Sequence, residues 1–505
     1  MSDKRKNKIV LFLCSFGALA AIGAFFLFLE RQYCMGIPVI SENALVGYTE
    51  TTELDISQLL FEGEMIAVDW PGNQVYISQS PEVLEHFYTL QGKLEALNPD
   101  YSLYFLDTPA LKDIQTSVRN GEPLTLIIKC GASYQKVQAV LTTLPVLFLD
   151  LDGTREDEQG RNIMNGKLTL WNSADPSSES YQTAASLVEW RMRGNSTRIY
   201  PKLSWKVNLR DAKGENNNLD LLGLGSDDDW ILNPMSMDDT CVKEKLTQEL
   251  WNQLVSETDY NYKMSQGEYV ELFINGAYQG LYLFQRRVDT KYLELDREKD
   301  ILMKGINTWE AESSFDAYEI VSTPYEIEET YTLIDKAMAF EEENTINIDN
   351  FIDVSLLLQL ISGTDNYGYK NTFYALRQEN DGYELYLVPW DTDLSLGVPW
   401  GYDYEDSMDE IIERYELQNI RREVPDIDVQ IAERWRTLRN SIYSEENILS
   451  IYSDITNELV VSGAMQRDEE QWGLLHEGED NWENLERFIK ERLRFLDEYY
   501  AKFEK

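Results

Sequence analysis

Residues 363–397 read GTDNYGYKNTFYALRQENDGYELYLVPWDTDLSLG. Two alternating stretches, Thr372 to Arg377 and Tyr383 to Val388, predict strands, and Asn380-Asp381-Gly382 between them predicts a hairpin turn. Upstream, Asp349 to about Ser362 carries Val354, Leu356, Leu357, Leu358, Leu360 and Ile361, an apolar run dense enough for a helix buried nearly all round. That helix stops just before Gly363-Thr364-Asp365. Downstream, Trp390-Asp391-Thr392-Asp393 opens a loop. A buried helix followed by a hairpin can bring Asp365, Asn371, Asp391 and Asp393 together at one hairpin end.

Phosphoryl transfer uses such a layout: an aspartate orients the attacking hydroxyl, an asparagine downstream takes one Mg²⁺, and an aspartate beyond the next hairpin links Mg²⁺ to nucleotide phosphates. Carboxylate and amide oxygens suit that hard cation. The same residues also fit plain turn chemistry, because Asp and Asn are common where strands end. Only two histidines exist, His86 and His476, and neither has a partner pattern. A histidine-based hydrolase or metal site is therefore excluded.

Working outward, Tyr269 to Ile274, Asn275-Gly276 and Tyr278 to Phe284 predict a second hairpin with a left-handed turn. Asp238 to Val255 predicts a helix whose core face is Val242, Leu246, Leu250 and Leu254. Residues 211–229, rich in Asn, Asp and Gly, read as a surface loop. Val146 to Thr154 ends in Asp150-Leu151-Asp152-Gly153-Thr154, the pattern of aspartate-nucleophile phosphatases; a strand followed by an Asp-Gly turn is the plainer reading. Beyond Gly401 the chain reads as helical, and Trp482, Leu485, Phe488, Ile489, Leu493, Leu496 and Tyr499 at helical spacing predict a last helix packed on the main domain. Residues 36–143 read as a small domain with no legible function: a helix from Ser80-Pro81 through Leu97, another opened by Pro109, and strands at Leu124 to Cys130 and Tyr134 to Leu141.

The chain has 505 residues, 43% of them hydrophobic, and a formal net charge of −44. Such length supports several domains and a large core, and such acidity excludes binding driven by nucleic-acid phosphates. Ile9 to Leu29 is uncharged and mostly apolar, long enough to span a bilayer, and follows Lys4, Arg5, Lys6 and Lys8. The positive-inside rule then keeps residues 1–8 in the cytoplasm and the bulk outside. A cleaved signal peptide is the competing reading. Cys34, Cys130 and Cys241 show no metal spacing.

Four blocks resemble the CotH (spore coat protein H) kinase-like family: Arg193-Gly194-Asn195-Ser196-Thr197-Arg198 with Pro201-Lys202 and Ser204 to Val207; Tyr269 to Tyr282; Tyr369 to Tyr374; and Pro389 to Gly397. The resemblance covers roughly 144–400. It implies an atypical protein-kinase-like core (144–400), so that the whole chain reads as α+β: a cytoplasmic tail (1–8), one transmembrane helix (9–29), the small domain (36–143), that core and a helical C-terminal extension (401–505). It implies ATP- and Mg²⁺- (or Mn²⁺-) dependent phosphorylation of a protein substrate. Asp365 would be the catalytic residue, Asn371, Asp391 and Asp393 the metal site, Lys206 the nucleotide lysine with Lys202 as fallback, and Arg193 a phosphate contact. An exposed strand lysine is the plainer reading of Lys206. The chain departs from the family at Gln285, Arg286 and Arg287, where an acidic residue is usual. If that acid positions the nucleotide lysine, its loss favours the alternative, a catalytically silent surface or coat binding protein.

Overall fold

The structure, a computed structural model, describes residues 33–80, 92–172, 182–194, 196–260, 262–306, 314–366, 368–379, 381–397, 408–474 and 480–503. The expected spanning segment at 9–29, residues 81–91 of the expected first helix and both histidines lie outside the described residues. Among the described residues, no helix is long and apolar enough to cross a membrane.

The alternating apolar residues of Leu124–Cys130 and Ser133–Thr142 place these antiparallel strands inside an eight-stranded sheet. Leu126, Ile128, Val137 and Ala139 pack there with Tyr76 and Phe105. Pro109 opens a short helix, Pro109–Lys112, capped by Thr108. The helix expected to run through Leu97 does not do so. Leu94–Ala96 is a strand paired with Leu59–Phe61, because Leu94 is buried against the sheet core, a tertiary contact that local helix signals do not encode.

Seven strands close into a barrel in the order Val146–Glu156, Asn162–Trp171, Gln182–Met192, Trp205–Arg210, Asp229–Asn233, Ala277–Arg286 and Gly267–Ile274. Parallel pairing of Val146 to Leu149 with Glu271 to Ile274 makes the closure, which removes exposed edges. Leu149, Leu168, Trp190, Val207, Trp230 and Leu272 fill its interior. The phosphatase reading of Asp150 to Thr154 fails here. The strand runs on antiparallel to Asn162–Trp171, with an irregularity between Leu151 and Gly153, and neither a terminating turn nor a parallel α/β sheet surrounds it.

The Gly267–Ile274 hairpin turns through Asn275 (φ 52°) and Gly276 (φ 70°), as its sequence requires. A Cβ on Gly276 would fall 2.4 Å from Trp70 Cδ1, and Trp70 N–H donates to the Gly276 carbonyl at 2.9 Å. The first sheet is thereby seated on the barrel hairpin. The expected loop at 211–229 holds a two-stranded ladder of Leu219–Asp220 with Ser226–Asp227 and ends at Asp229, where the barrel strand begins. The expected helix from Asp238 begins later, at Lys243, and ends at Val255. Asp238 instead accepts from Lys243 N–H at 2.9 Å and Thr240 N–H at 3.0 Å, satisfying donors that the helix start leaves free.

A five-stranded sheet holds Tyr318–Ser322, Ile301–Gly305, Thr372–Glu379, Gly382–Pro389 and Thr345–Ile346. The Ile348–Ile361 helix packs on it, buried on nearly every side as its apolar run predicts. The last helix, Trp482–Tyr500, buries Leu485, Phe488, Leu493 and Leu496 in the same core, so its stripe is satisfied within the chain. The last helices and the turn before the final one also carry counter-charges for the barrel region and the Lys243–Val255 helix. Asp468 Oδ2 meets Lys202 at 2.8 Å, Arg467 pairs with the buried Glu271, Glu458 meets Lys245 at 3.3 Å and Asp480 meets Lys243 at 2.8 Å. Mixed helix and sheet make the fold α+β, as expected.

Candidate functional site

The Ile348–Ile361 helix closes with Ser362 left-handed (φ 49°), Ser362 N–H donating to Gln359 O and Gly363 N–H to Leu358 O. A single 3-10 turn, Thr364–Asn366, follows. Asn366 is fully buried, and its side-chain amide donates to the carbonyls of Asn371 (3.1 Å) and Trp390 (2.9 Å). Trp390 N–H also donates to Asn371 O at 3.0 Å. These bonds tie together the strand ends just beyond the pair Thr372 and Pro389. Asn371 (φ 53°) and Asp391 (φ 58°) are both left-handed, a conformation that Asn and Asp tolerate better than most residues. Turn geometry and metal chemistry thus ask for the same residue types here.

The four predicted carboxylate and amide residues do converge. Asn371 Nδ2 donates to Asp365 Oδ2 at 2.9 Å and to the Asp391 carbonyl at 3.3 Å. The other Asp365 oxygen takes the Lys370 ammonium. Burial raises the Asp365 carboxyl's pKa above its ordinary value, Lys370 opposes that rise, and the charge of Asp391 adds to it. Asp393 is pushed well above the carboxylate range by burial, then by Asp391 and Glu244. Neither Asp391 nor Asp393 makes a side-chain hydrogen bond or ion pair with any described residue.

Glu244 completes the acidic group, and the sequence reading missed it. It lies in the first turn of Lys243–Val255, is 2% exposed, and accepts from Thr392 N–H at 2.7 Å and Thr392 Oγ1 at 2.8 Å. Burial and Asp391 raise its pKa, against the Thr392 bonds. A Lys-Glu-Lys run at a helix start reads as a solvated face, so no local signal marked it. Asn366 was missed for the same reason: a buried clamp and an exposed turn asparagine look alike in sequence.

The cations divide differently from expectation. Arg193 and Lys304 both feel Asp391 as their strongest charged neighbour, and burial lowers the pKa of both. Arg193 is fixed by its N–H to Ser204 O (2.9 Å) and by its guanidinium to Ser204 Oγ (3.3 Å). Lys206 faces Asp229 at 3.0 Å, sharing that carboxylate with Arg287 at 2.7 Å. Burial lowers its pKa while Asp229 supports its charge. The missing acid at 285–287 is thus replaced, as partner of this lysine, by Asp229 on the adjacent strand. Lys202 is only 5% exposed and bound to Leu281 O (2.6 Å) and Asp468 (2.8 Å). Its ammonium holds a helix to the barrel, so the fallback assignment is withdrawn.

The donor set fits a hard divalent ion. The charge of Asp391 raises the pKa values of Asp365, Asp393 and Glu244, a repulsion that a divalent cation relieves, and the side chains of Asp391 and Asp393 bond to no described residue. Among the described residues no three Asp, Glu, His or Cys side chains form a metal cage. Mg²⁺ does not need one, because it binds through one or two carboxylates plus waters and phosphate oxygens.

An aspartate behind a buried helix, an asparagine at the next strand and two aspartates past the hairpin thus share one end of the five-stranded sheet. The family described as CotH kinase protein matches residues 190–496, more than half of the chain, and the chain belongs to it. The match includes the helices after residue 408 and begins inside the barrel, on Gln182–Met192. Comparison with curated proteins gives no significant match.

Proposed function

We propose that the chain transfers the γ-phosphate of ATP to a protein hydroxyl, with Mg²⁺ or Mn²⁺, as a membrane-anchored enzyme acting outside the cytoplasm. The observation that carries this reading is the convergence of Asp365, Asn371 and Asp391, with Asp391 and Asp393 unpaired among the described residues. Asp365 would orient the acceptor hydroxyl through the oxygen now held by Lys370, and Asn371 holds the other oxygen in place. Asn371 and Asp391, assisted by Asp393, would hold the metal, which supplies charge neutralisation for the phosphates. Arg193 would reach phosphate oxygens with its planar fork. The apolar stretch Ile9 to Leu29 after four basic residues supports the anchor and the orientation. The strong acidity supports a protein rather than a nucleic-acid substrate.

One observation favours a silent binding scaffold: both Asp365 oxygens are already engaged, by Lys370 and Asn371. Labelled γ-phosphate transfer onto the purified full-length chain and a generic protein substrate decides between them. Loss of label in Asp365→Asn and Asp391→Asn, with unchanged melting, supports the kinase. No transfer by the natural chain, and no ATP-dependent rise in its melting temperature, supports the scaffold.

A further inference from the structure

Lys304 is the last residue but one of the Ile301–Gly305 strand, paired with Phe373 on one side and Glu319 on the other. The next residue must be small. A Cβ on Gly305 would fall 1.6 Å from the Tyr369 carbonyl oxygen, so the strand end sits directly on the loop carrying Lys370 and Asn371. The Lys304 ammonium lies 6.0 Å from the Phe373 ring centre, Phe373 meets Trp390 edge-on at 5.7 Å, and the Arg193 guanidinium lies 5.8 Å from the Trp390 ring. One cation therefore flanks each ring of a pair that leads straight into Asp391.

The lysines near this end of the molecule differ in what they already hold. Lys206 has Asp229, Lys202 has Asp468 and Lys370 has Asp365. Lys304 is partly buried and makes no ion pair with any described residue. A half-desolvated ammonium without a counter-ion is unfavourable unless a ligand supplies one. Its position beside Asp391, opposite Arg193, gives that ligand a place: an anion bridging two cations while its metal meets the carboxylates.

We infer that Lys304, acting with Arg193, is the lysine that neutralises the nucleotide's phosphates, and that Lys206 instead serves the barrel through Asp229. The assignment rests on the kinase reading above. Its test is MgATP binding to the full-length chain by titration calorimetry, with melting curves of each variant without nucleotide. Lys304→Ala and the uncharged, similarly long Lys304→Gln should each bind MgATP about tenfold more weakly or worse, the loss expected for one charge-assisted contact. Lys206→Ala should bind within about twofold of the natural chain, a bound set well below that loss. If both Lys304 variants bind like the natural chain, or if Lys206→Ala alone abolishes binding, the inference is overturned while the kinase reading stands. If the natural chain binds no MgATP, both fall together.

Discussion

Asn371 reaches across 2.9 Å to hold one oxygen of Asp365 while its own backbone stands in the left-handed region at φ 53°. One residue therefore performs a backbone task and a side-chain task, and the two can be separated.

Asn371→Gly keeps the left-handed turn at little conformational cost but deletes the amide. Its melting temperature should stay near that of the natural chain, while phosphate transfer should fall roughly a hundredfold or more, the scale of losing a positioned polar group. Asn371→Ala should lose transfer and also stability, by about 1–3 kcal/mol, since alanine pays for the strained backbone. Equal melting of the two variants would remove the strain from the account.

Asn366 donates to two buried carbonyls. Asn366→Ala leaves both short of a donor, at about 1–3 kcal/mol for each group left unsatisfied. Trp390 N–H still reaches Asn371 O, so the loss should fall mainly on the Trp390 carbonyl. Urea unfolding measures it, and a change below about 0.5 kcal/mol, the range of ordinary surface substitutions, would mean that the hairpin end holds itself.

Burial raises the Asp238 carboxyl from its ordinary 3.8 to about 6, against the pull of Lys243. The folded chain then binds more protons than the unfolded one between those values, so this group's contribution to stability falls as pH rises from about 4 to about 6. Asp238→Asn removes that titration and can still accept from Lys243 N–H. In urea unfolding across pH 4 to 7, the variant should gain on the natural chain up to about pH 6 and then run parallel to it. A gap that moves the other way contradicts the raised value.

Lys202→Met tests whether this lysine serves structure alone. It leaves Asp468 buried without its cation, which costs about 3–5 kcal/mol, and pairing it with Asp468→Leu should recover much of the loss. Transfer per folded molecule should not change in either variant. A fall in transfer with stability intact would return Lys202 to the nucleotide site.

The hairpins at Asn275-Gly276 and before Gly382, the all-round burial of Ile348–Ile361 and the packed stripe of Trp482–Tyr500 were legible because each follows from local periodicity and turn chemistry. So was the meeting of Asp365, Asn371 and Asp391, which needs only one helix end and one hairpin. Barrel closure was not legible, because its parallel seam joins Val146 to Glu271, far apart in the chain and without a turn to announce it. The charges were read least well. Lys202, Lys206, Glu244 and Lys304 look alike in sequence, as polar residues near the ends of strands or helices. Only the segments that pack over them decide which is a strut, which a partner and which is left free.

The counter-charges that the last helices bring to the barrel set an order on how this chain is made. Lys202, Lys243 and Glu271 emerge from the ribosome long before Asp468, Asp480 and Arg467, and until those arrive the surface that the last segments cover stays open and its charges stay in water. Completion of the main core, which joins Leu246 and Leu250 to Leu485, Phe488 and Leu496, is therefore expected to wait for nearly the whole chain. A polypeptide cut short before residue 464 would not be a smaller kinase-like protein but an unfinished one, marked for proteolysis by the apolar surface that its missing helices would have covered.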